Sequence, residues 1–88
     1  MEFEYDAKKS QANKRKHGID FEKAQSIWDD DFLVLPAATK GEARFVLIGR
    51  IEDKMYSCVF ALRGKKIRII SCRRSREKEK RGYYGKTE

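Results

Sequence analysis

The sequence predicts an α+β fold, in which a small antiparallel sheet carries two N-terminal helices on one face. Three observations lead to this prediction: capped helical segments come first, strand-like apolar runs follow, and the connections between these runs are short. Short connections favour antiparallel pairing of successive strands. The 88 residues contain no internal repeat, so we expect a single domain over residues 1–88.

The start of the chain predicts a strand and a basic helix. The alternation of apolar and polar side chains in Phe3-Glu4-Tyr5 is typical of a short strand. Asp6 is a suitable N-cap for a helix over residues 7–16, because its carboxylate can accept hydrogen bonds from free N–H groups of the first turn. Gly18 favours an end to this helix, since glycine readily adopts the left-handed conformation found there.

A second helix is predicted from residue 21 to about residue 28, with Asp20 as its N-cap. Its apolar residues recur at spacings of three and four and therefore share one face: Phe21, Ala24, Ile27 and Trp28. The run Asp29-Asp30-Asp31 then predicts a solvated turn. We prefer this interpretation to a metal site, because three consecutive carboxylates do not converge on one ion without further ligands.

Four apolar runs predict the remaining strands, at residues 32–35, 42–51, 54–62 and 66–71. The connections Glu52-Asp53 and Arg63-Gly64-Lys65 suit tight hairpins. The last stretch, from residue 75 to about residue 84, is polar and permits either a C-terminal helix or a frayed tail. We expect flexibility from about residue 82 onward.

The charge of the chain is strongly positive and unevenly distributed. The formal net charge is +7 and the isoelectric point is about 9.6. Two basic segments, residues 8–17 and 73–86, flank an acidic segment at residues 20–31. Such an excess of positive charge either serves solubility or attracts a polyanion such as nucleic acid, and composition alone leaves both interpretations open. A membrane surface is disfavoured, because no basic amphipathic helix with a bulky apolar face is present.

The N-terminal residues and the cysteines indicate a cytoplasmic protein. The acidic start at Glu2 and Glu4 suits no export signal, and no apolar run is long enough to span a membrane. Cys58 and Cys72 form no CxxC pair and lie within or at the end of apolar runs, which predicts buried free thiols. With one histidine and no cysteine cluster, we expect neither a metal site nor another cofactor.

His17 is the only histidine in the chain, and it has two interpretations. A histidine at a helix end can hydrogen-bond free carbonyl groups and suits the helix dipole. A histidine can also act as a general acid or base, because imidazole changes its protonation state near neutral pH. The neighbouring Lys16 is a candidate to assist such chemistry.

Three arginines lie on or next to the last two predicted strands: Arg63, Arg68 and Arg73. Considered alone, Arg68 is an outward-facing residue on an alternating strand. Together, the three guanidinium groups suggest a phosphate clamp, because arginine binds phosphate through parallel hydrogen bonds and stabilises the charge of a phosphoryl transition state.

Four more residues are candidates for contact with RNA. Lys14, Arg15 and Arg74 add positive charge beside the residues already named. Tyr83 lies among basic residues, where an aromatic ring either stacks on an unpaired base or packs on the domain itself.

An ordered set of motifs resembles the BrnT family of toxins. In the N-terminal part the motifs are Phe3-Glu4-Tyr5-Asp6, Lys9, Asn13, Lys16-His17-Gly18-Ile19 and Phe21-Glu22-Lys23-Ala24. In the rest of the chain they are Gly41-Glu42-Ala43-Arg44, Ile48-Gly49, Arg63, Ile67-Arg68-Ile69-Ile70-Ser71-Cys72-Arg73, Glu79-Lys80-Arg81 and Tyr83. The sequence departs from the family pattern at Cys72, where alanine is common, at Ala61-Leu62, where the family is more polar, and at Arg74 and Ser75.

The resemblance implies a RelE-like fold and a ribonuclease that needs no metal ion and stops translation. It also implies tight binding by an antitoxin with a DNA-binding, ribbon-helix-helix-like part, whose complex with the toxin binds operator DNA. A non-catalytic RNA-binding or ribosome-binding module is the alternative from another class. A DNA-binding regulator is less favoured, because no helix-turn-helix with a recognition helix stands out.

The expected mechanism uses the 2′-hydroxyl of RNA as the nucleophile. The enzyme then needs to deprotonate this hydroxyl, stabilise the phosphorane and protonate the leaving 5′-oxygen. His17 is the candidate base or acid, and Lys16 is a candidate assistant. Arg63, Arg68 and Arg73 are the candidate phosphate stabilisers.

Overall fold

The computed structural model describes residues 2–38 and 41–86. The strands are β1 (Glu2–Glu4), β2 (Phe32–Pro36), β3 (Arg44–Ile51), β4 (Lys54–Arg63) and β5 (Lys66–Arg74). The helices are α1 (Ala7–His17), α2 (Phe21–Ala24) and α3 (Glu77–Gly85), and a 3₁₀ helix (Gln25–Asp29) follows α2. The five strands form one sheet in the order β1-β5-β4-β3-β2. The predicted α+β class is therefore confirmed.

Both predicted N-caps and the predicted end of α1 are confirmed. The carboxylate of Asp6 accepts hydrogen bonds from the backbone N–H groups of Lys8 and Lys9 at 2.8 and 3.1 Å. Asp20 caps α2 in the same way. Gly18 has a φ of +78°, a conformation that suits glycine, and its N–H group bonds the carbonyl of Lys14.

The predicted second helix is only half right, because it is α-helical over four residues and then tightens into the 3₁₀ helix. Isoleucine and tryptophan are weak helix formers, so Ile27 and Trp28 do little to hold an α-helical conformation. Tertiary packing sets the path instead. A Cβ atom at Gly49 would lie 2.7 Å from the side chain of Ile27, so this close approach to β3 requires a glycine.

The sheet is not wholly antiparallel, which corrects the prediction. The three pairings among β2, β3, β4 and β5 are antiparallel, as their short connections predict. β1, however, pairs with β5 in parallel. The rule of short connections does not apply here, because most of the chain lies between these two strands and leaves either direction open.

The sheet has a helix face and an open face, and α3 does not share the face of the other helices. The helix face is covered by α1, α2 and the 3₁₀ helix. The main core lies between these helices and the sheet and includes Phe21 and Ile27 from the helices and Phe60 from β4. On the opposite, open face, Tyr83 of α3 packs on Ile48 and Met55 in a smaller cluster. The predicted C-terminal helix is thus present, on the other side of the sheet.

The end of the chain is helical as far as Gly85. The flexibility expected from about residue 82 stays a prediction, and residues 87 and 88 lie outside the described part of the chain. No helix among the described residues is long and apolar enough to cross a membrane. Cys58 and Cys72 are buried free thiols, as predicted, and face each other across β4 and β5. The contact with Cys72, together with burial, raises the pKa of Cys58 well above its ordinary value.

A β-bulge in β5 decides which side chains reach the open face. The register of β4 and β5 shifts between Val59 and Phe60, where Ile70 is the extra residue on β5. In a regular strand, residues five apart point to opposite faces. The bulge resets this alternation, so that Arg68 and Arg73 both point to the open face while Cys72 stays in the core.

Candidate functional site

Helix α1 lies beside the edge of β5 and runs in the same direction as that strand. β1 pairs only with the start of β5, at Lys66 to Arg68, and leaves the rest of that edge without a strand neighbour. Asn13 takes the place of one. Its side-chain amide donates to the carbonyl of Cys72 at 2.8 Å and accepts from the N–H group of Cys72 at 3.1 Å. A buried amide that satisfies both backbone groups of one residue fixes α1 against β5.

This placement puts His17 at the far end of β5. His17 follows Asn13 by four residues, so it lies on the same side of α1 and about one turn, 5.4 Å, further along. It therefore lies near the level of Arg73 and Arg74. The side chain of His17 is half-buried and makes no hydrogen bond or ion pair within residues 2–38 and 41–86.

Arg73 is held in place by an ion pair with Glu79 of α3. Nη1 and Nη2 of Arg73 donate to the two carboxylate oxygens of Glu79 at 2.9 and 2.7 Å. Glu79 also accepts hydrogen bonds from the Oγ atom of Ser57 and from the backbone N–H group of Arg76. Ser57 in turn shares a hydrogen bond with the buried Ser75 at 2.8 Å. These bonds fix both partners in one geometry.

The same contacts explain the acidity of Glu79. The hydrogen bonds from Arg73 are the main cause that lowers the pKa of Glu79 from 4.5 to about 2, and the bonds from Arg76 and Ser57 act in the same direction. The same hydrogen bonds to Glu79 raise the pKa of Arg73. The pair therefore stays charged at any pH near neutral.

Arg73 keeps unused donors. A guanidinium group has five N–H bonds. Two of them bond Glu79, and a third bonds the backbone carbonyl of Arg74 at 3.1 Å. The Nε–H and the second N–H of Nη2 have no partner in the described part of the chain, and together they form the side-on fork that binds two phosphate oxygens. Glu79 thus orients a guanidinium group that can still bind an oxyanion.

Arg68 and Arg63 lie at the other end of the open face and are held more loosely. Nη1 of Arg68 donates to Glu4 of β1 at 2.9 Å, and Nη2 of Arg63 donates to Glu42 at 3.2 Å. Each of these pairs is held by one hydrogen bond instead of two. Arg63 and Glu42 are also the more exposed of the two pairs, so water and ions compete for both partners there.

The structure therefore divides the predicted catalytic residues into two sets. Arg68 and Arg73 are five residues apart along β5, which corresponds to roughly 15 Å in an extended strand with one bulge. Asp6 lies at the start of α1, close to Arg68. The positive charge of Arg68 is the smallest of the causes that lower the pKa of Asp6. From there α1 carries His17 about 16 Å away. By their level along β5, His17 and Arg73 form one set and Arg63 and Arg68 the other, although α1 lies on the helix face and Arg73 points to the open face.

Residues 5–79 match a family described as the ribonuclease toxin BrnT of type II toxin–antitoxin systems. The chain belongs to the BrnT family. A search of the curated proteins finds no match. The resemblance seen in the sequence motifs is thereby confirmed, and with it an RNA substrate and an antitoxin partner for the family.

In this BrnT-family chain, the predicted RNA-contacting residues differ in exposure. Lys14 and Arg15 are exposed on the last turns of α1, as is Lys16, the predicted catalytic assistant. Arg74 is exposed and lies over the ring of Tyr56, with 5.7 Å between its guanidinium carbon and the ring centroid. All four can meet a phosphate without any change in the core.

Tyr83 is buried, so packing on the domain is the interpretation that the structure favours. Its hydroxyl donates to the carbonyl of Asp31 at 3.4 Å, and Nζ of Lys86 lies 4.5 Å from its ring centroid. Tyr84 is 60% exposed and touches Tyr83 edge-on. The stacking of Tyr83 on RNA stays a prediction.

Sequence reasoning missed three residues that shape the site of this toxin-family chain. Glu79 and Asn13 occur in the motifs that resemble the family, but nothing local shows that they bond Arg73 and Cys72. Arg44 also belongs to one of these motifs and lies on the open face. Among the described residues, no three His, Cys, Asp or Glu side chains converge as metal ligands.

Proposed function

We propose that this chain is a metal-independent endoribonuclease that stops translation by cleaving RNA at the His17 end of β5. The observation that carries the proposal is the geometry of Arg73. Glu79 holds its guanidinium group fixed, and the remaining side-on fork is ready for a phosphate near the level of His17. A donor that is oriented in advance stabilises a transition state without reorganisation during the reaction.

The proposed reaction is an attack of the 2′-hydroxyl of RNA on the adjacent phosphorus. His17 removes the proton of the 2′-hydroxyl or delivers a proton to the leaving 5′-oxygen. Arg73 stabilises the phosphorane, and Lys16 assists from the last turn of α1. The O2′–P bond forms and the P–O5′ bond breaks, which yields a 2′,3′-cyclic phosphate and a 5′-hydroxyl end.

Arg63 and Arg68 bind a neighbouring part of the RNA in this proposal. They lie too far from His17 to act on the same phosphate, but they lie on the same face as Arg73. An RNA strand that follows β5 passes both sets. Exposed Lys14, Arg15 and Arg74 add contacts to its backbone, which makes binding dependent on salt.

The guanidinium groups supply the positive charge for which other nucleases use a metal ion. The test is cleavage of RNA by the purified chain in the presence of EDTA, with identification of the product ends. We expect undiminished cleavage and cyclic phosphate ends. Cleavage that EDTA abolishes and magnesium restores would show a metal-dependent enzyme instead.

A His17→Ala variant tests the proton transfer. We expect the single-turnover rate to fall by ~10²–10⁴ while RNA affinity changes little, because general acid–base catalysis contributes about this much. A folded His17→Ala variant that cleaves at the wild-type rate would show that His17 transfers no proton and only stabilises the end of α1. A wild-type chain that binds RNA but never cleaves it would favour the non-catalytic RNA-binding module.

We also propose that the antitoxin covers the basic surface with acidic and apolar groups, and that a ribbon-helix-helix-like part of it binds operator DNA. Edge strand β2 adds apolar surface for such a partner, since Phe32, Val34 and Leu35 are exposed. A standard interface of about 1,600 Å² supports nanomolar binding. The test is whether a protein encoded in the same operon co-purifies with this chain from the cytoplasm of its host. A chain that has no such partner and does not harm the host would contradict the proposal.

A further inference from the structure

Arg44, at the start of β3, lies on the open face in register with Arg68. The pairing of β3 with β4 places Arg44 opposite Ala61, and the pairing of β4 with β5 places Ala61 opposite Arg68. The two arginines therefore flank Ala61 on neighbouring strands, and their backbones are about 10 Å apart. Ala61, between them on β4, has no exposed surface.

Arg44 differs from the other arginines of this face in having no acceptor. Arg63, Arg68 and Arg73 each form an ion pair with a glutamate, and Arg50 donates to the backbone carbonyl of Glu52 at 3.4 Å. Within residues 2–38 and 41–86, Arg44 forms no ion pair, and its buried Nε atom has no hydrogen-bond partner. A buried donor without an acceptor is costly, and such a group in a folded protein calls for an explanation.

We propose that Arg44 and Arg68 together bind one phosphodiester group of the RNA chain, above Ala61 and apart from the phosphate that is cleaved. This inference rests on the proposed function for the identity of its ligand. A phosphodiester has two non-bridging oxygens and one negative charge. Two guanidinium groups that approach from the strands on either side of β4 can each bind one of these oxygens.

Arg68 can take part without losing its contact with Glu4. That contact uses one N–H bond of Arg68, and the other donors of its guanidinium group remain for a phosphate oxygen. Arg44 brings the positive charge that offsets the nearby carboxylate. The pair thus fits a singly charged phosphodiester within a chain.

The experiment compares Arg44→Gln with Arg50→Gln in binding to a single-stranded 2′-O-methyl RNA, which has phosphates but no nucleophile. Arg50 is a matched control, because it lies on the same strand and the same face, and its removal changes the net charge equally. We expect Arg44→Gln to weaken binding about tenfold. We also expect it to reduce the slope of log affinity against log salt by about 0.7, the share of one phosphate on a single strand. Arg50→Gln should change both quantities far less.

The inference is overturned if Arg44→Gln binds as the wild type does, or if Arg50→Gln loses as much affinity, since net charge alone would then explain the effect. Urea unfolding of both variants checks the fold. Arg44→Lys, which keeps the charge but not the fork, should recover only part of the affinity, and full recovery would contradict paired hydrogen bonds.

Cleavage is measured separately with unmodified RNA at saturating and sub-saturating concentrations. Arg50→Gln should keep the wild-type single-turnover rate, whereas Arg44→Gln should slow cleavage at sub-saturating RNA in proportion to its loss of affinity. A wild-type chain that does not cleave RNA but loses affinity on Arg44→Gln would refute the proposed function and support this inference. If the wild type cleaves RNA and Arg44→Gln binds RNA as the wild type does, the proposed function is supported and this inference is refuted.

Discussion

Arg73 and Arg68 are the same residue type on the same strand and the same face, but they are held in different ways. Arg73 makes two hydrogen bonds to Glu79, which is itself held by Ser57 and Arg76. Arg68 makes one hydrogen bond to Glu4, on a three-residue strand at the edge of the sheet. The difference lies in what supports the carboxylate.

The comparison shows how one type of ion pair can serve two purposes. A carboxylate fixed by several donors holds its arginine in a single orientation, which is what stabilisation of a transition state requires. A carboxylate on an edge strand holds its arginine loosely enough for exchange with a phosphate. We therefore assign Arg73 to the cleaved phosphate and Arg68 to binding, and each prediction below tests this difference.

The largest effect is expected for Arg73→Lys. Lysine cannot bond Glu79 and a phosphate with two parallel pairs of hydrogen bonds, so the turnover rate should fall by ~10²–10³ while RNA affinity changes little. The matched variant Arg68→Lys should mainly weaken binding. Single-turnover cleavage and separate affinity measurements check both variants. Equal losses of rate would mean that both arginines contact the reacting phosphate, and near wild-type rates for both would refute the assignment.

The second effect is the loss of stability in acid. The pKa of Glu79 is about 2 in the folded chain and 4.5 without its partners, so its contribution is present above pH 4.5 and is lost as the pH falls towards 2. Water screens this partly exposed pair, so it contributes less to the free energy of unfolding than the roughly 3 kcal/mol that the full lowering of the pKa would give.

Urea unfolding of wild type and Glu79→Gln between pH 7 and pH 2 measures it. The difference between the two chains should be largest near neutral pH and should shrink below pH 4.5. A constant difference across this range would show that the stabilisation does not depend on the charge of Glu79.

A smaller effect is expected for Ser57→Ala, which removes one hydrogen bond to Glu79. The free energy of unfolding should fall by about 1–2 kcal/mol, because the buried Ser75 also loses its partner. If Ser57 helps to orient Arg73 through Glu79, the turnover rate falls and RNA affinity does not. A variant that loses stability but keeps its full turnover rate would limit Ser57 to a structural role.

The smallest effect is expected for Glu4→Gln. A partly exposed ion pair held by one hydrogen bond contributes about 1 kcal/mol or less, so unfolding should change little. Removal of this carboxylate should tighten RNA binding, because it no longer repels phosphate near Arg68. Affinity and turnover are measured together. Loss of cleavage despite tighter binding would contradict a purely electrostatic effect and would make Glu4 a candidate for proton transfer.

The sequence by itself determined the features that depend on near neighbours. Asp6, Asp20 and Gly18 set the helix ends, because each acts on backbone groups within a few residues. The hairpins at residues 52–53 and 64–65 followed from short connections, and the family followed from an ordered set of motifs. His17 and the arginines became candidates through their chemistry alone, and their roles stay predictions.

Only the tertiary structure decided how these residues combine. The parallel pairing of β1 with β5 and the bond of Glu4 to Arg68 join residues that are 64 positions apart, and no local pattern encodes such a contact. The bulge at Ile70 brought Arg73 to the face of Arg68, whereas a regular alternation would have separated them. Glu79 reached Arg73 because α3 packs across the open face. Contacts between distant segments depend on how the whole chain packs, and a short stretch of sequence does not encode them. Which candidate residues lie close together was therefore decided by the fold.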